Sequence, residues 1–137
     1  MLLSDHSYDV AFKRQMNAYH EELWQHLALV PALEPQTRNA VMEYLLELAC
    51  QAQNERNIDL GRRAILGLPR AWLLQHLETY AEPLLQLEDE WEYRRLGEIY
   101  LRLDEGLVRR LAARGLESRD EGIREAAQDF LGALSNG

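Results

Sequence analysis

Large apolar residues recur at steps of three and four along most of the chain. This spacing places them on one side of an α-helix, which completes a turn every ~3.6 residues. Leucine and alanine occur 26 and 15 times, whereas valine, isoleucine and threonine together occur 10 times. Leucine and alanine form helices more readily than valine, isoleucine and threonine. A chain of 137 residues is also long enough to bury a hydrophobic core. We therefore expect an all-α protein that forms a single helical domain over residues 1–137.

Capping and helix-breaking residues divide this pattern into about seven helices. A long first helix is expected to begin at Ser7 as its N-cap and to continue to Val30, where Pro31 ends it. Pro35 is expected to open the second helix at its first turn. Asp59 is expected to cap the third.

The later boundaries follow from the same signals. They are expected at the Leu68-Pro69 break, at Pro83, at Glu88-Asp89-Glu90, at Asp104, and at Ser118 or Asp120. Gly115 is expected to end the sixth helix in a left-handed conformation. Because the connections are short, consecutive helices are expected to be antiparallel neighbours.

The helices also contain a weak internal repeat. An acidic cap, an apolar residue and an arginine recur at intervals of about 30 residues, in the segments 59–64, 89–96 and 120–127. Such a period is typical of stacked helical hairpins. The copies thus predict that the later helices are paired.

The last copy has the pattern Asp-x-x-[Val/Ile]-Arg-x-x-Ala, at Asp120, Ile123, Arg124 and Ala127. This pattern resembles the core of HEAT repeats, in which paired antiparallel helices stack into an α-solenoid. The resemblance is best over residues 118–134 and partial over residues 89–103. It implies stacked antiparallel helical hairpins in a short, irregular HEAT-like α-solenoid, with structural roles for Asp120 and Arg124. A compact irregular helical bundle is the alternative.

Recognisable catalytic and metal-binding motifs are absent from the sequence. His20 and His26 are six positions apart, so they cannot hold one metal ion from the same helix. Glu43 and Glu47 are spaced as a carboxylate pair, but such pairs commonly form a solvated helix face. The chain has no Gly-x-Ser-x-Gly elbow and no glycine-rich phosphate loop. We therefore expect a protein that is not an enzyme and uses neither a cofactor nor a metal.

The single cysteine and the apolar segments indicate the cellular compartment. Cys50 cannot form an intramolecular disulfide, and we expect it to be a small core or half-buried residue of a protein from a reducing compartment. No uninterrupted apolar stretch approaches the ~18 residues that a membrane span needs. These features predict a cytoplasmic protein without a membrane partner.

The net charge of −8 is concentrated in residues 78–105, where nine acidic residues and three arginines supply six of the eight negative charges. The simpler interpretation is that these acids cap helices and solubilise one face. The alternative is an acidic surface that steers a basic protein partner and anchors it through aromatic area. The residues expected to bind such a partner are Glu88, Asp89, Glu90, Trp91, Glu92 and Tyr93. Trp91 and Tyr93 lie about 200° apart on a helix, so at most one of them faces the core.

These observations favour a non-catalytic protein-protein interaction module. A concrete form is an acidic immunity or inhibitor protein that binds a partner such as a toxin. The alternatives are a structural subunit of a larger assembly and a HEAT-like nucleic-acid-binding protein, although the negative charge disfavours a nucleic-acid partner. Such binding would use two groups of basic residues whose commoner role is pairing with carboxylates: Arg62, Arg63, Arg70, Arg109, Arg110 and Arg114.

Overall fold

The computed structural model describes residues 9–136, and these residues are all-helical. Two short 3₁₀-helices and a π-helical turn accompany the α-helices, at Leu23–Gln25, Leu27–Ala32 and Glu47–Gln51. The seven α-helices of the described chain are α1 (Val10–Tyr19), α2 (Pro35–Leu46), α3 (Glu55–Leu66), α4 (Arg70–Leu84), α5 (Glu90–Leu103), α6 (Glu105–Leu116) and α7 (Glu121–Asn136). The predicted all-α class and the number of helices are confirmed. None of the helices within residues 9–136 has both the length and the apolar character that crossing a membrane requires.

The chain separates into two compact units, Met1–Leu73 and Leu74–Gly137. The second unit contains the later part of α4, from residue 74, together with α5, α6 and α7. Within it α6 packs against α7, and both helices contact α5. Its core is formed by apolar residues at the helical spacing, among them Leu96, Ile99 and Leu107, which are buried.

In the first unit, α3 packs closely against the π-helical turn that follows α2. A Cβ atom on Gly61 would lie 2.6 Å from the backbone nitrogen of Ala49 and 2.8 Å from the carbonyl oxygen of Leu45. Because both of these atoms belong to the backbone, a larger side chain at this position would push the two elements apart. Cys50 lies in the same turn and is buried, as predicted.

The predicted first helix is wrong beyond Tyr19, where α1 ends. His20 is extended, and Glu22 is left-handed with φ of 54°. The side-chain oxygen of Asn17 accepts a hydrogen bond from the backbone nitrogen of Glu22 at 2.8 Å, and such local bonds compete with helical ones. Leu23 is nevertheless buried, so the apolar spacing identified a core residue without revealing the break before it.

The caps of the first unit also differ from the prediction. Ser7 lies outside the described residues, and Asp9 caps α1 by accepting a hydrogen bond from the nitrogen of Phe12 at 2.8 Å. Asn54 caps α3 through the nitrogens of its first turn. Asp59 therefore does not begin that helix; it lies one turn inside and pairs with Arg63 at 2.8 Å.

The four prolines singled out from the sequence have different positions, and Pro69 directly precedes α4. Pro35 opens α2 at its first turn, as predicted. Pro31 does not end an α-helix, because it lies inside the second 3₁₀-helix. Pro83 is one residue before the end of α4, consistent with its inability to continue the hydrogen-bond pattern.

The predicted caps of the second unit are confirmed. The carboxylates of Asp89, Asp104 and Asp120 accept hydrogen bonds from the backbone nitrogens three residues later, at 3.1, 3.3 and 3.0 Å. Each bond satisfies a nitrogen that has no partner within the helix. Asp120 and Arg124 therefore have local structural roles, since Arg124 also donates to the carbonyl oxygen of Ser118 at 2.8 Å.

Gly115 is buried inside α6 and is not left-handed, so its predicted role as a helix-ending residue is wrong. The position is small because the Tyr93 hydroxyl lies against it. Gly97 on α5 has a similar role, with the ring of Phe130 packed on its backbone. These two glycines permit close packing of α5, α6 and α7.

Candidate functional site

Trp91 and Tyr93 lie on different sides of α5. The Tyr93 side chain is completely buried, whereas Trp91 is 38% exposed. The prediction that at most one of them faces the core is confirmed. Tyr93 therefore drops out of the predicted partner-binding set and belongs to the core, where its hydroxyl donates to the Leu111 carbonyl at 2.8 Å.

The connection between α4 and α5 lies beside the connection between α6 and α7. The hydroxyl of Ser118 donates to the two carboxylate oxygens of Glu88, at 3.1 and 3.2 Å. The Glu90 carboxylate lies against the backbone of Gly122. These contacts bring together residues 85–92 and residues 116–122, which we call the acidic end.

The acidic end concentrates negative charge. It contains one basic residue, Arg119, and seven acidic residues: Glu88, Asp89, Glu90, Glu92, Glu117, Asp120 and Glu121. Most of the hydrogen bonds that they accept come from uncharged groups. Asp89 and Asp120 accept from backbone nitrogens, Glu88 from a hydroxyl, and Glu92 from the backbone nitrogen of Gln86 at 3.1 Å. Such bonds orient the carboxylates without neutralising them.

Two helices stabilise this charge. α5 and α7 both begin at the acidic end, and the N-terminus of a helix carries a partial positive charge. Glu90 also forms an ion pair with Arg94 at 2.7 Å, and Arg94 lies 3.5 Å from Asp129 of α7. The hydrogen bond to Glu90 is the main reason that the pKa of Arg94 is raised. The acids are thus held in place by the fold of the second unit.

Three other acids of the predicted segment, Glu78, Glu82 and Glu105, are paired with arginines. Arg110 binds Glu78 through two nitrogens, each 2.9 Å from a carboxylate oxygen. Arg114 pairs with Glu82, and Arg109 pairs with Glu105 at 2.8 Å. The predicted pairing of these arginines is therefore confirmed, and it neutralises Glu78, Glu82 and Glu105. Arginines thus balance these three acids, as Arg94 balances Glu90 within the acidic end.

Exposed apolar area occurs at the same end. The large apolar residues that are most exposed among those described are Val10, Leu29, Trp91, Leu101 and Leu116. Of these, Trp91 and Leu116 belong to the acidic end, at the first turn of α5 and the last residue of α6. The acidic end thus combines carboxylates with exposed apolar side chains.

The ring of Trp91 is itself covered in part by Arg95, a residue of its own helix. The guanidinium carbon of Arg95 lies 4.6 Å from the centroid of the Trp91 ring. A nitrogen of the same guanidinium donates to Glu98 at 2.9 Å. Trp91, Arg95 and Glu98 therefore follow one another along one face of α5.

The residues considered for catalysis or metal binding lie on the surface of the described chain. Glu43 and Glu47 are both exposed, as are His20 and His26, while His6 lies outside the described residues. Within residues 9–136, no group of three or more His, Cys, Asp and Glu side chains is arranged to hold a metal ion.

Sequence reasoning missed the part of the acidic end that follows α6. Leu116, Glu117 and Glu121 were not predicted to bind a partner, because they lie about 30 residues after the acids of α5. The repeat contained the necessary signal. It places Asp89 and Asp120 at equivalent positions, so successive hairpins present these connections at the same end.

Comparisons of the chain with protein-family models, with curated proteins and with solved structures found no match.

Proposed function

We propose that this chain is a non-catalytic protein-protein interaction module that binds a basic protein partner through its acidic end. The observation that carries the proposal is the hydrogen bond between Ser118 and Glu88, because it joins two acidic segments beside the exposed ring of Trp91. Carboxylates that keep their charge attract a basic surface over distance. Tryptophan supplies the large apolar contact on which binding energy commonly depends.

The form of this function that we favour is an acidic immunity or inhibitor protein that covers the basic surface of a toxin. The pattern at Asp120, Ile123, Arg124 and Ala127, which resembles a HEAT repeat, supports a role in binding, since stacked helical hairpins offer extended surfaces. A nucleic-acid partner has less support. Arg109, Arg110 and Arg114 are engaged by carboxylates.

Identifying the partner is the most informative test. The tagged full chain is purified from its native host under gentle conditions, and proteins that co-purify in equal amounts are identified by mass spectrometry. The purified partner is then titrated with the chain by calorimetry. We expect one protein that forms a one-to-one complex and carries a basic surface.

Charge reversals locate the binding surface. The variant Glu117→Lys/Glu121→Lys changes two exposed acids of the acidic end that cap neither α5 nor α7. The variant Glu43→Lys/Glu47→Lys makes the same change of charge on exposed residues of the first unit. We expect the first variant to lose the partner and the second to retain it. The proposal would be refuted if both double variants retained the partner equally, or if no protein co-purified with the chain in equal amounts.

Single substitutions test the contribution of α5. We expect Glu90→Lys and Trp91→Ala each to weaken the complex, through repulsion of the basic surface and through loss of apolar contact. Unchanged affinity in both variants would exclude the first turn of α5 from the interface.

A further inference from the structure

The exposed ring of Trp91 is held by its neighbours on α5. Arg95 lies one turn later with its guanidinium over the ring, and Glu98 binds that guanidinium from the following turn. Residues four and three positions apart on a helix are neighbours on the same face. The side chain of Arg95 is 19% exposed although it carries a full charge, so it packs along the helix surface.

We infer that Arg95 and Glu98 are positioning residues, which hold the Trp91 indole in one orientation before a partner binds. The inference rests on the proposed function for its biological meaning, but the geometry stands without it. A guanidinium over an indole is attracted by the electrons of the ring. Glu98 accepts a hydrogen bond from the guanidinium and holds it in place, so the indole has less freedom to change rotamer.

An ordered aromatic residue is a better anchor than a mobile one. Immobilising a side chain at an interface opposes binding, and a side chain that is already fixed avoids that cost. Because Arg95 already covers the ring, the partner does not need to supply a cation to it. The chemistry expected of the partner is an apolar pocket for the indole, surrounded by basic residues that face the acidic end.

The ordering is measured without any partner. The chain contains three tryptophans, which are labelled together as 5-fluorotryptophan and observed by fluorine NMR. The Trp91 resonance is identified from its loss in Trp91→Phe. Arg95→Ala is expected to narrow this resonance and to increase its shift between H₂O and D₂O, while the Trp24 and Trp72 resonances keep their widths. Arg95→Lys keeps a positive charge at this position, so the width of its Trp91 resonance is expected to lie between those of Arg95→Ala and the unsubstituted chain.

A matched control separates ordering from loss of charge. Arg102 is an exposed arginine of the same helix, and Arg102→Ala is expected to leave the Trp91 resonance unchanged. Glu98→Ala is expected to act in the same direction as Arg95→Ala, by releasing the guanidinium. If neither Arg95→Ala nor Glu98→Ala changes the width or the solvent shift, the inference is wrong whether or not a partner exists.

The partner, once purified, provides the second measurement. We expect Arg95→Ala to weaken binding by about two- to fivefold, the effect of an exposed cation–π contact, and to have no effect in a Trp91→Ala background. An equal loss in both backgrounds would show that Arg95 contacts the partner directly, which would overturn its role as a positioning residue. The proposed function would survive that result, because it depends on the acidic end and not on Arg95.

Discussion

The hydroxyl of Tyr93 donates a hydrogen bond to the carbonyl oxygen of Leu111, 2.8 Å away in the core of the second unit. The bond links α5 to α6 and satisfies a hydroxyl group that is completely buried. We expect Tyr93→Phe to lower the free energy of unfolding by about 0.5–1.5 kcal/mol, the usual contribution of such a bond. Urea unfolding followed by circular dichroism measures the change, and an unaltered midpoint would contradict it.

The same tyrosine makes stability depend on alkaline pH. Burial raises the pKa of Tyr93 from 10.0 to about 12, opposed in part by the positive charge of Arg114. Between these values the unfolded chain loses the tyrosine proton and the folded chain keeps it, so unfolding becomes more favourable as pH rises. We expect the free energy of unfolding to fall from about pH 10 to about pH 12. In Tyr93→Phe the free energy of unfolding is expected to fall less steeply over this range. Burial also raises the pKa of Tyr44, so the comparison with Tyr93→Phe is what isolates Tyr93.

Glycines in α6 and α7 are expected to respond in opposite ways to the same substitution. A Cβ on Gly115 would collide with the Tyr93 hydroxyl, whereas a Cβ on Gly132 would meet nothing within 4 Å. Gly132→Ala is expected to stabilise the protein by about 0.5–1 kcal/mol, because alanine favours helix. Gly115→Ala is expected to destabilise it by about 1–3 kcal/mol through overpacking. Thermal unfolding of the two variants gives the sign, and stabilisation by both would show that the Tyr93 contact yields easily.

Gly115 also illustrates what sequence reasoning leaves undetermined. From the sequence, Gly115 was expected to end a helix in a left-handed conformation. It is a glycine because the Tyr93 hydroxyl packs against it, and no local sequence pattern contains this contact between helices. Asp89 and Asp104 were predicted correctly, since an N-cap depends on the backbone three residues later. The break after Tyr19 was missed because the apolar spacing continued through it to Leu23.

The candidate site shows the same limit. The acids around Trp91 were visible as a run in the sequence. The angle of about 200° between Trp91 and Tyr93 on a helix also predicted that at least one of them lies outside the core. The contribution of Glu117 and Glu121 depends on the contact between Ser118 and Glu88. The neutralisation of Glu78 likewise depends on Arg110, which is 32 residues away. Local patterns thus predicted most of the helices and the caps of the second unit, while pairings between helices determined which charges are balanced by arginines.

Asp89 caps α5 and belongs to the proposed binding surface, and two substitutions separate these roles. Asn retains an oxygen that can cap α5, so Asp89→Asn is expected to change stability little. It removes a negative charge, however, and is expected to lower the affinity for a basic partner. Asp89→Ala loses the cap as well and is expected to cost about 0.5–2 kcal/mol of stability. Chemical unfolding and calorimetric titration with the partner measure the two effects. Weakening that does not diminish at high salt would show that charge is not the cause.

The ion pair between Glu78 and Arg110 is expected to couple α4 to α6 more strongly than a pair within one helix. Arg110 contacts both carboxylate oxygens of Glu78, whose side chain is 31% exposed, whereas Arg109 meets Glu105 through one nitrogen at a site where both side chains are about 60% exposed. Two-pronged contacts are stronger, and exposed single contacts are weakened by water.

Double-mutant cycles with alanine at each position measure the coupling energies of these two pairs. We expect about 0.5–1 kcal/mol for Glu78 and Arg110 and about 0.2–0.5 kcal/mol for Glu105 and Arg109. Both values are expected to shrink in molar salt, where charges are screened within about 3 Å. A coupling energy near zero for Glu78 and Arg110 would show that this ion pair does not stabilise the contact between α4 and α6.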